Sequence, residues 1–270
     1  MAGEPVEEKT LDEALALMRD LRTRDAWDRA QTHQSLRPYL NEEMHELDDA
    51  IRAEDDDAIR SELGDVLLQV LFHAIIAEER GAFGVGEVAG SLVQKMTQRH
   101  PWLYAKTAAE GSAPEPWERI KSKTRSSLAD GLPAGLPSLH RAHRLQERAA
   151  GVGFDWPDVR GPLDKVREEL AEVTTEVDAH GAVFPTHGVP GADAMHARLE
   201  EELGDLLFAV VNACRKASVH PALALDRAND KFQRRFEGME RAAVRRGLDV
   251  RTAGLDVLGQ LWDQVKAQER

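Results

Sequence analysis

One stretch occurs twice in this chain of 270 residues, and it limits the fold more than any other feature. Glu42-Glu43-Met44-His45-Glu46 is followed by Glu62-Leu63-Gly64-Asp65-Val66-Leu67-Leu68. Glu168-Glu169-Leu170-Ala171-Glu172 is followed by Glu202-Leu203-Gly204-Asp205-Leu206-Leu207-Phe208. Each copy reads Glu-Glu-x-x-Glu, a gap, then Glu-Leu-Gly-Asp and an apolar run. Residues three or four apart share a helix face. Glu43 and Glu46 therefore point one way, as do Glu62 and Asp65, and two such helices packed together gather four carboxylates. Like charges at this spacing destabilise a helix by roughly 0.2–0.5 kcal/mol per pair. A hard divalent cation such as magnesium, which prefers oxygen ligands, relieves that repulsion.

Asp and Glu number 48 of the 270 residues, so the acidic pattern alone is a weak signal. A protein of this kind matches it by chance about once. Its repetition carries more weight. Both copies set Gly beside Asp in a helix, where Gly costs about 1 kcal/mol, and a merely solvated acidic face has no use for that.

Composition narrows the class. At 42% hydrophobic, 31% charged and 5% aromatic residues, the chain reads as globular and helical. Its length allows one or two domains. The single cysteine, Cys214, excludes an intrachain disulfide framework and fits a reducing, cytoplasmic setting. No apolar run approaches the roughly 20 residues of a membrane span, and the acidic start Met1 to Thr10 does not read as a signal peptide. A net charge of −13 argues against nucleic acid as a partner. It also repels bare polyphosphate, so a phosphate ligand needs a metal or a local cluster of Lys and Arg.

The periodicity predicts helices throughout and no strands. Expected helices cover about 11–24, 38–52, 57–80, 86–100 and 117–125, with a polar loop or short turn at 26–36 and Pro101 as a stop. The interior of the 57–80 helix, Val66 to Ile76, is apolar almost all round and reads as buried. Gly131 to Pro137 is the best linker, dividing the chain into 1–130 and 138–270. The order then repeats, with helices at about 138–150, 162–178, 193–218, 221–246 and 255–270. Fifteen residues separate Glu46 from Glu62, whereas 29 separate Glu172 from Glu202, and the Gly/Pro-containing segment Gly181 to Gly191 accounts for the excess. The fold class is thus all-α, a tandem repeat of one helical unit.

Basic residues follow each acidic pair. Lys95 and Arg99 share a helix face, with Lys121 four residues after Trp117. In the second repeat come Lys231, Arg234 and Arg235, then Lys266 four residues after Trp262. Acidic and basic clusters on successive helices suit a metal–polyphosphate site: carboxylates hold the metal, and Lys and Arg neutralise the remaining phosphate oxygens. Two other readings use the same residues. A non-catalytic acidic adaptor needs only the charges. A di-iron carboxylate bundle needs two Glu-x-x-His units, of which Glu42-x-x-His45 is the one in an acidic cluster, since Ala171 takes the matching place.

Longer motifs bring a resemblance. Trp27-Asp28-x-x-Gln31-Thr32-His33-x-x-Leu36, Arg144-Leu145-Gln146, Gly151 to Trp156, Lys231-Phe232-x-x-Arg235-Phe236 and Leu261-Trp262-x-x-Val265-Lys266 together resemble the MazG family of nucleoside triphosphate pyrophosphohydrolases. Asp25-Ala26 departs from the Cys-Pro that usually precedes the first Trp. The resemblance implies two MazG-like units, four-helix bundles completed in a homodimer, and hydrolysis of nucleoside triphosphates to monophosphate and pyrophosphate with magnesium, or manganese in its place. It also implies a house-cleaning role against non-standard nucleotides. Carried over by position, Glu169, Glu172, Glu202 and Asp205 hold the metal, and Arg198, Lys231, Arg235 and Lys266 contact phosphates with Trp262 nearby. Arg198 departs from a Lys common in the family. Glu168 or Glu201 orients the attacking water. Repeat symmetry gives Glu43, Glu46, Glu62 and Asp65 as a second metal site, with Lys95, Arg99 and Lys121 as its phosphate contacts. The second repeat matches further, so most of the activity is expected there.

Overall fold

The computed structural model describes residues 7–104, 117–122, 125–180 and 192–269; among them are twelve helices and no strand. The chain divides into two compact units, Met1–Pro114 and Glu115–Arg270. Gly131 to Pro137 falls inside the second. The segments Ala108 to Pro116 and Gly181 to Gly191 lie outside the described residues.

The first unit starts with α1, Leu11–Arg24, whose N-terminus is closed by a reciprocal Thr10–Glu13 capping box. The expected loop that follows opens instead with a short helix, α2, Ala26–Ala30. Asp25 is the reason: its side chain accepts from the backbone N–H groups of Trp27 and Asp28 at 2.8 and 3.0 Å. Helix α3, Arg37–Ala53, begins with Pro in its first turn, and α4, Asp56–Glu79, is capped by Asp55. Gly81 then turns the chain with φ +68°. Helix α5, Val85–Arg99, leads to α6, Pro101–Tyr104. Helix α5 ends just before Pro101, as expected, and Pro101 also starts the new turn, where its missing N–H has no partner to lose.

Met18, Leu36, Leu71, Phe72, Ile75 and Ile76 form the core of this unit, with α1 and α3 packed on α4. Fully burying such a side chain contributes about 1.5–3 kcal/mol. The expected burial of α4 on all sides does not hold. Leu68 and Val70 are exposed, because α3 and α1 cover only part of its circumference.

The second unit comprises α7, Trp117–Ser122; α8, Ser138–Gly151; α9, Arg160–His180; α10, Ala192–Lys216; α11, Pro221–Arg245; and α12, Leu255–Gln268. Helix α9 pairs with α10, α8 packs on both α10 and α11, and α11 pairs with α12. Met239, Ala242, Ala243 and Leu261 form the core of the α11–α12 hairpin, flanked by Trp262. Two sets of polar contacts hold the start of the unit to α8. Arg148, almost fully buried, donates to the carbonyls of Leu128 and Asp130 at 2.7 and 2.9 Å. Glu118 on α7 accepts from Arg125 at 2.8 Å and from Arg144 at 2.7 Å. Burial works against ionising Glu118, but the two arginines win and hold its carboxyl at about 2.

Candidate active site

Each antiparallel acidic helix pair brings its carboxylates together as their spacing requires. In the second unit, ligand oxygens of Glu169 and Glu172 on α9 and of Glu202 on α10 all lie within 4.8 Å of one another. Asp205 is not one of the three but lines the adjoining cavity. In the first unit, Glu43 on α3 converges in the same way with Glu62 and Asp65 on α4, and Glu46 stands beside Glu62 outside that trio. Neither cluster includes His45.

Glu169 is buried on the α9–α10 interface, with 4% of its surface exposed. Lys165, one turn earlier on α9, places its Nζ 2.5 Å from Glu169 and 2.8 Å from Glu168. That ammonium is first among the causes that hold the Glu169 carboxyl below its usual range. Contact with Glu169, then burial, raises that of Glu172. In the first cluster, burial followed by the charge of Asp65 raises Glu43, and burial followed by Glu46 raises Glu62.

A hard cation fits the second cluster. Its donors are carboxylate oxygens, and magnesium at about 2.1 Å from its ligands places neighbouring ligands about 3 Å apart. Glu169 Oε2 is buried with no hydrogen-bond partner among the described residues, a costly arrangement for a carboxylate unless something positive reaches it.

A cavity of about 790 Å³ adjoins the cluster, and Glu169, Lys165 and Asp205 form its acidic end. Its remaining wall is mainly apolar and comes from α8, from the 152–159 loop and from α10: Leu145 and Ala149, then Phe154 and Trp156, then Phe208 and Ala209. Trp156 lies flat against Gly161 at the start of α9, where a Cβ would come within 2.4 Å of the indole. The loop is fastened to α10 through Asp155, which accepts from both Arg215 and Lys216. Burial opposes ionisation of Asp155, and these hydrogen bonds outweigh it, so its carboxyl lies below the usual range.

The two units differ at one step beside their acidic clusters. Aligning Glu-Leu-Gly-Asp sets Gln69 of α4 against Ala209 of α10. Gln69 is buried and hydrogen-bonds to Glu43, whereas Ala209 lines the cavity. Aligning Glu43 with Glu169 sets Tyr39 against Lys165, and Tyr39 packs edge-on against Trp27 with ring centroids 5.9 Å apart.

The other residues singled out by sequence lie elsewhere. Lys231 and Lys266 are exposed on α11 and α12, and Arg235 donates to Glu269 at 2.7 Å. Trp262 packs on Phe232 with centroids 5.4 Å apart. These four residues do not line the cavity. Arg198 donates to Glu176 at 3.1 Å. Glu201 is exposed beside Glu202. Lys95 and Arg99 are on α5 of the first unit, but Lys121 belongs to the second, 3.4 Å from Glu118. Lys165, Asn212 and Arg215 were not found by sequence reasoning. Lys165 had one available signal, its position four residues before Glu169.

The family described as the MazG nucleotide pyrophosphohydrolase domain matches twice, over residues 31–104 and 162–239, and each match spans one acidic helix pair. A nucleoside triphosphate pyrophosphohydrolase of Escherichia coli K12 is 40% identical over 269 residues, 96% of this chain and 98% of the relative. A nucleoside triphosphate pyrophosphohydrolase/pyrophosphatase MazG of Thermotoga maritima is 40% identical over 94% of this chain and 95% of its own length. An uncharacterized protein of Bacillus subtilis, YabN, shares 40% identity over 94% of this chain, which corresponds to 51% of that protein.

Proposed function

The chain belongs to the MazG nucleotide pyrophosphohydrolase family, and from that premise we propose that it hydrolyses nucleoside triphosphates to nucleoside monophosphate and pyrophosphate. One observation carries the reading: Glu169 belongs both to the carboxylate cluster and to the wall of the large cavity. Such a junction sets a polyphosphate at one end and an organic group at the other.

Glu169, Glu172 and Glu202 would hold magnesium, or manganese, with Asp205 as the fourth carboxylate, on the cavity side. The metal would supply neutralisation of phosphate charge and polarisation of the phosphorus under attack. The chain's own residues do the remainder. Lys165 stands at the mouth of the cluster, ready to move from Glu169 to a phosphate oxygen. Glu168, 2.8 Å from Lys165, and Glu201 are the carboxylates outside the cluster available to orient the attacking water. Lys231, Arg235 and Lys266 are assigned to the outer phosphates and the leaving pyrophosphate, with Trp262 beside them.

A homodimer is part of this reading. Leu203, Leu207 and Val210 form an exposed apolar row on α10, and Leu63 and Val70 repeat it on α4. Gly204 and Gly64, inside the two rows, have open space where a Cβ would point. A second copy packed there would complete each bundle and cover the rows. Clearance of non-standard nucleotides is the cellular role that fits the family. Among the described residues no helix is long and apolar enough to cross a membrane.

Product chromatography tests the reaction. With magnesium the expected products are monophosphate and pyrophosphate, and a chelator abolishes them. Diphosphate plus free phosphate would overturn the assigned bond cleavage, and no turnover of any triphosphate would favour the non-catalytic adaptor.

A further inference from the structure

The cavity has a polar end that the reaction chemistry does not use. Asn212 lines it on α10, two turns beyond Asp205 and on the same side of the helix. Seven residues of helix span about 10 Å, roughly the reach from the inner phosphate of a nucleotide to the far edge of its base. Arg215 fixes the Asn212 amide by donating to Oδ1 from Nε at 3.1 Å and from Nη2 at 2.8 Å. With the oxygen engaged, the amide nitrogen is left as a donor on the cavity wall.

The acceptors exposed to the cavity at this end, Asn212 Oδ1 and the Asp155 carboxylate, are already engaged. Arg215 holds Asn212 Oδ1. The Asp155 carboxylate accepts from Arg215, from Lys216 Nζ at 3.1 Å and from the Trp156 backbone N–H at 2.9 Å. Gln146 spends its amide N–H on the carbonyl of Phe208 at 2.8 Å, and its Oε1, which has no partner among the described residues, is buried away from the cavity surface. The end therefore offers donors, framed by the aromatic rings of Phe154 and Trp156 on which a flat ring stacks.

We propose that this cavity is the nucleobase subsite, and that Asn212 selects bases presenting a carbonyl oxygen at its position, 6-oxopurines and 4-oxopyrimidines, over their amino counterparts. An exocyclic amino group there would set donor against donor and leave the amide unpaired. Asp155 and Arg215 are positioning residues that fix which way the amide points. This assignment rests on the triphosphate reading above, and the test separates the two.

The experiment compares substrates that differ at one exocyclic group. For the wild-type protein, inosine triphosphate is expected to exceed adenosine triphosphate in kcat/KM by about tenfold, and uridine triphosphate to exceed cytidine triphosphate likewise. Asn212→Ala should bring both ratios close to one. Variant damage that is merely structural lowers both members of each pair and leaves the ratio unchanged. Amino bases preferred by the wild type, or ratios that survive Asn212→Ala, would overturn the assignment. Calorimetry with inosine and adenosine monophosphates on the wild type needs neither turnover nor a variant. Tighter inosine monophosphate binding without any triphosphate hydrolysis would keep the subsite and remove the reaction. Equal binding of the two with normal hydrolysis would remove the subsite and keep the reaction.

Discussion

Gln69 hydrogen-bonds to Glu43 in the first unit, filling a position that the second unit gives to Ala209, on the wall of its cavity. Two helix pairs with the same carboxylate pattern thus differ in what stands beside the acids, a buried glutamine in the first and an alanine on a cavity wall in the second.

Importing the larger side chain tests that difference. Ala209→Gln should fill the cavity next to Glu169 and lower kcat/KM at least tenfold. Overpacking a well-packed interior costs about 1–3 kcal/mol, but this side chain faces open volume, so the melting temperature should change little. A folded variant with wild-type kcat/KM would separate the cavity from catalysis.

The division of labour follows. Glu172→Ala removes one of three converging donors in the second unit and should cost at least about a hundredfold in turnover, since changes just outside a metal's ligands already cost about 10- to 100-fold. Glu46→Ala should leave most activity, because Glu46 stands outside the converging trio of the first unit. Equal losses would mean that both units work or are coupled. A loss confined to Glu46→Ala would reverse the assignment.

The phosphate contacts proposed for the α11–α12 hairpin are open to the same treatment. Lys231→Ala and Arg235→Ala should each reduce kcat/KM by about ten- to a hundredfold, the loss of one charge-assisted contact of roughly 1.5–3 kcal/mol. Arg235 also holds Glu269 in a half-buried pair at the surface, of modest value to stability. Circular dichroism should therefore stay unchanged, and full activity in both variants would return these residues to the solvated surface.

Glu118 gives a pH signature to the second unit. Its carboxyl is held at about 2 against an ordinary value of 4.5. A depressed folded-state value contributes stability that is fully present above about 4.5 and lost as pH falls towards 2. At pH 7 Glu118→Gln should destabilise the unit by on the order of 3 kcal/mol. The gap between wild type and variant should close steadily below pH 4.5 in melting experiments. A gap independent of pH would mean that the carboxylate charge has no part in tying α7 to α8.

The all-α tandem organisation and the two carboxylate clusters were legible because periodicity and the repeated Glu-Leu-Gly-Asp are local properties of the chain. Helix ends at caps were legible for the same reason, except where one residue has two uses. Pro101 reads equally as a stop or a start, and Asp25 became a helix cap only once Trp27 and Asp28 turned towards it. The cavity was not legible. Its polar end joins Gln146, Asp155, Asn212 and Arg215 from α8, a loop and α10, and only the packing of α8 and α9 against α10 assembles them. The convergence of three carboxylates in each cluster, with Asp205 and Glu46 set apart, is likewise a matter of helix rotation that spacing alone does not fix.

The contact between Trp156 and Gly161 makes the cavity behave like a jaw set by a shim. Gly161 is not part of the wall, yet the hydrogen in place of its side chain is what lets the indole close down on α9. A methyl group there would lift Trp156. Asp155 is its immediate neighbour and is itself bound to Arg215, so the push would reach the grip on Asn212. The aromatic wall and the Asn212 amide are thus set by one adjustment, made at a residue outside the cavity wall. Relatives with a larger residue at this position would be expected to accept a different breadth of bases with every residue in contact with the base unchanged.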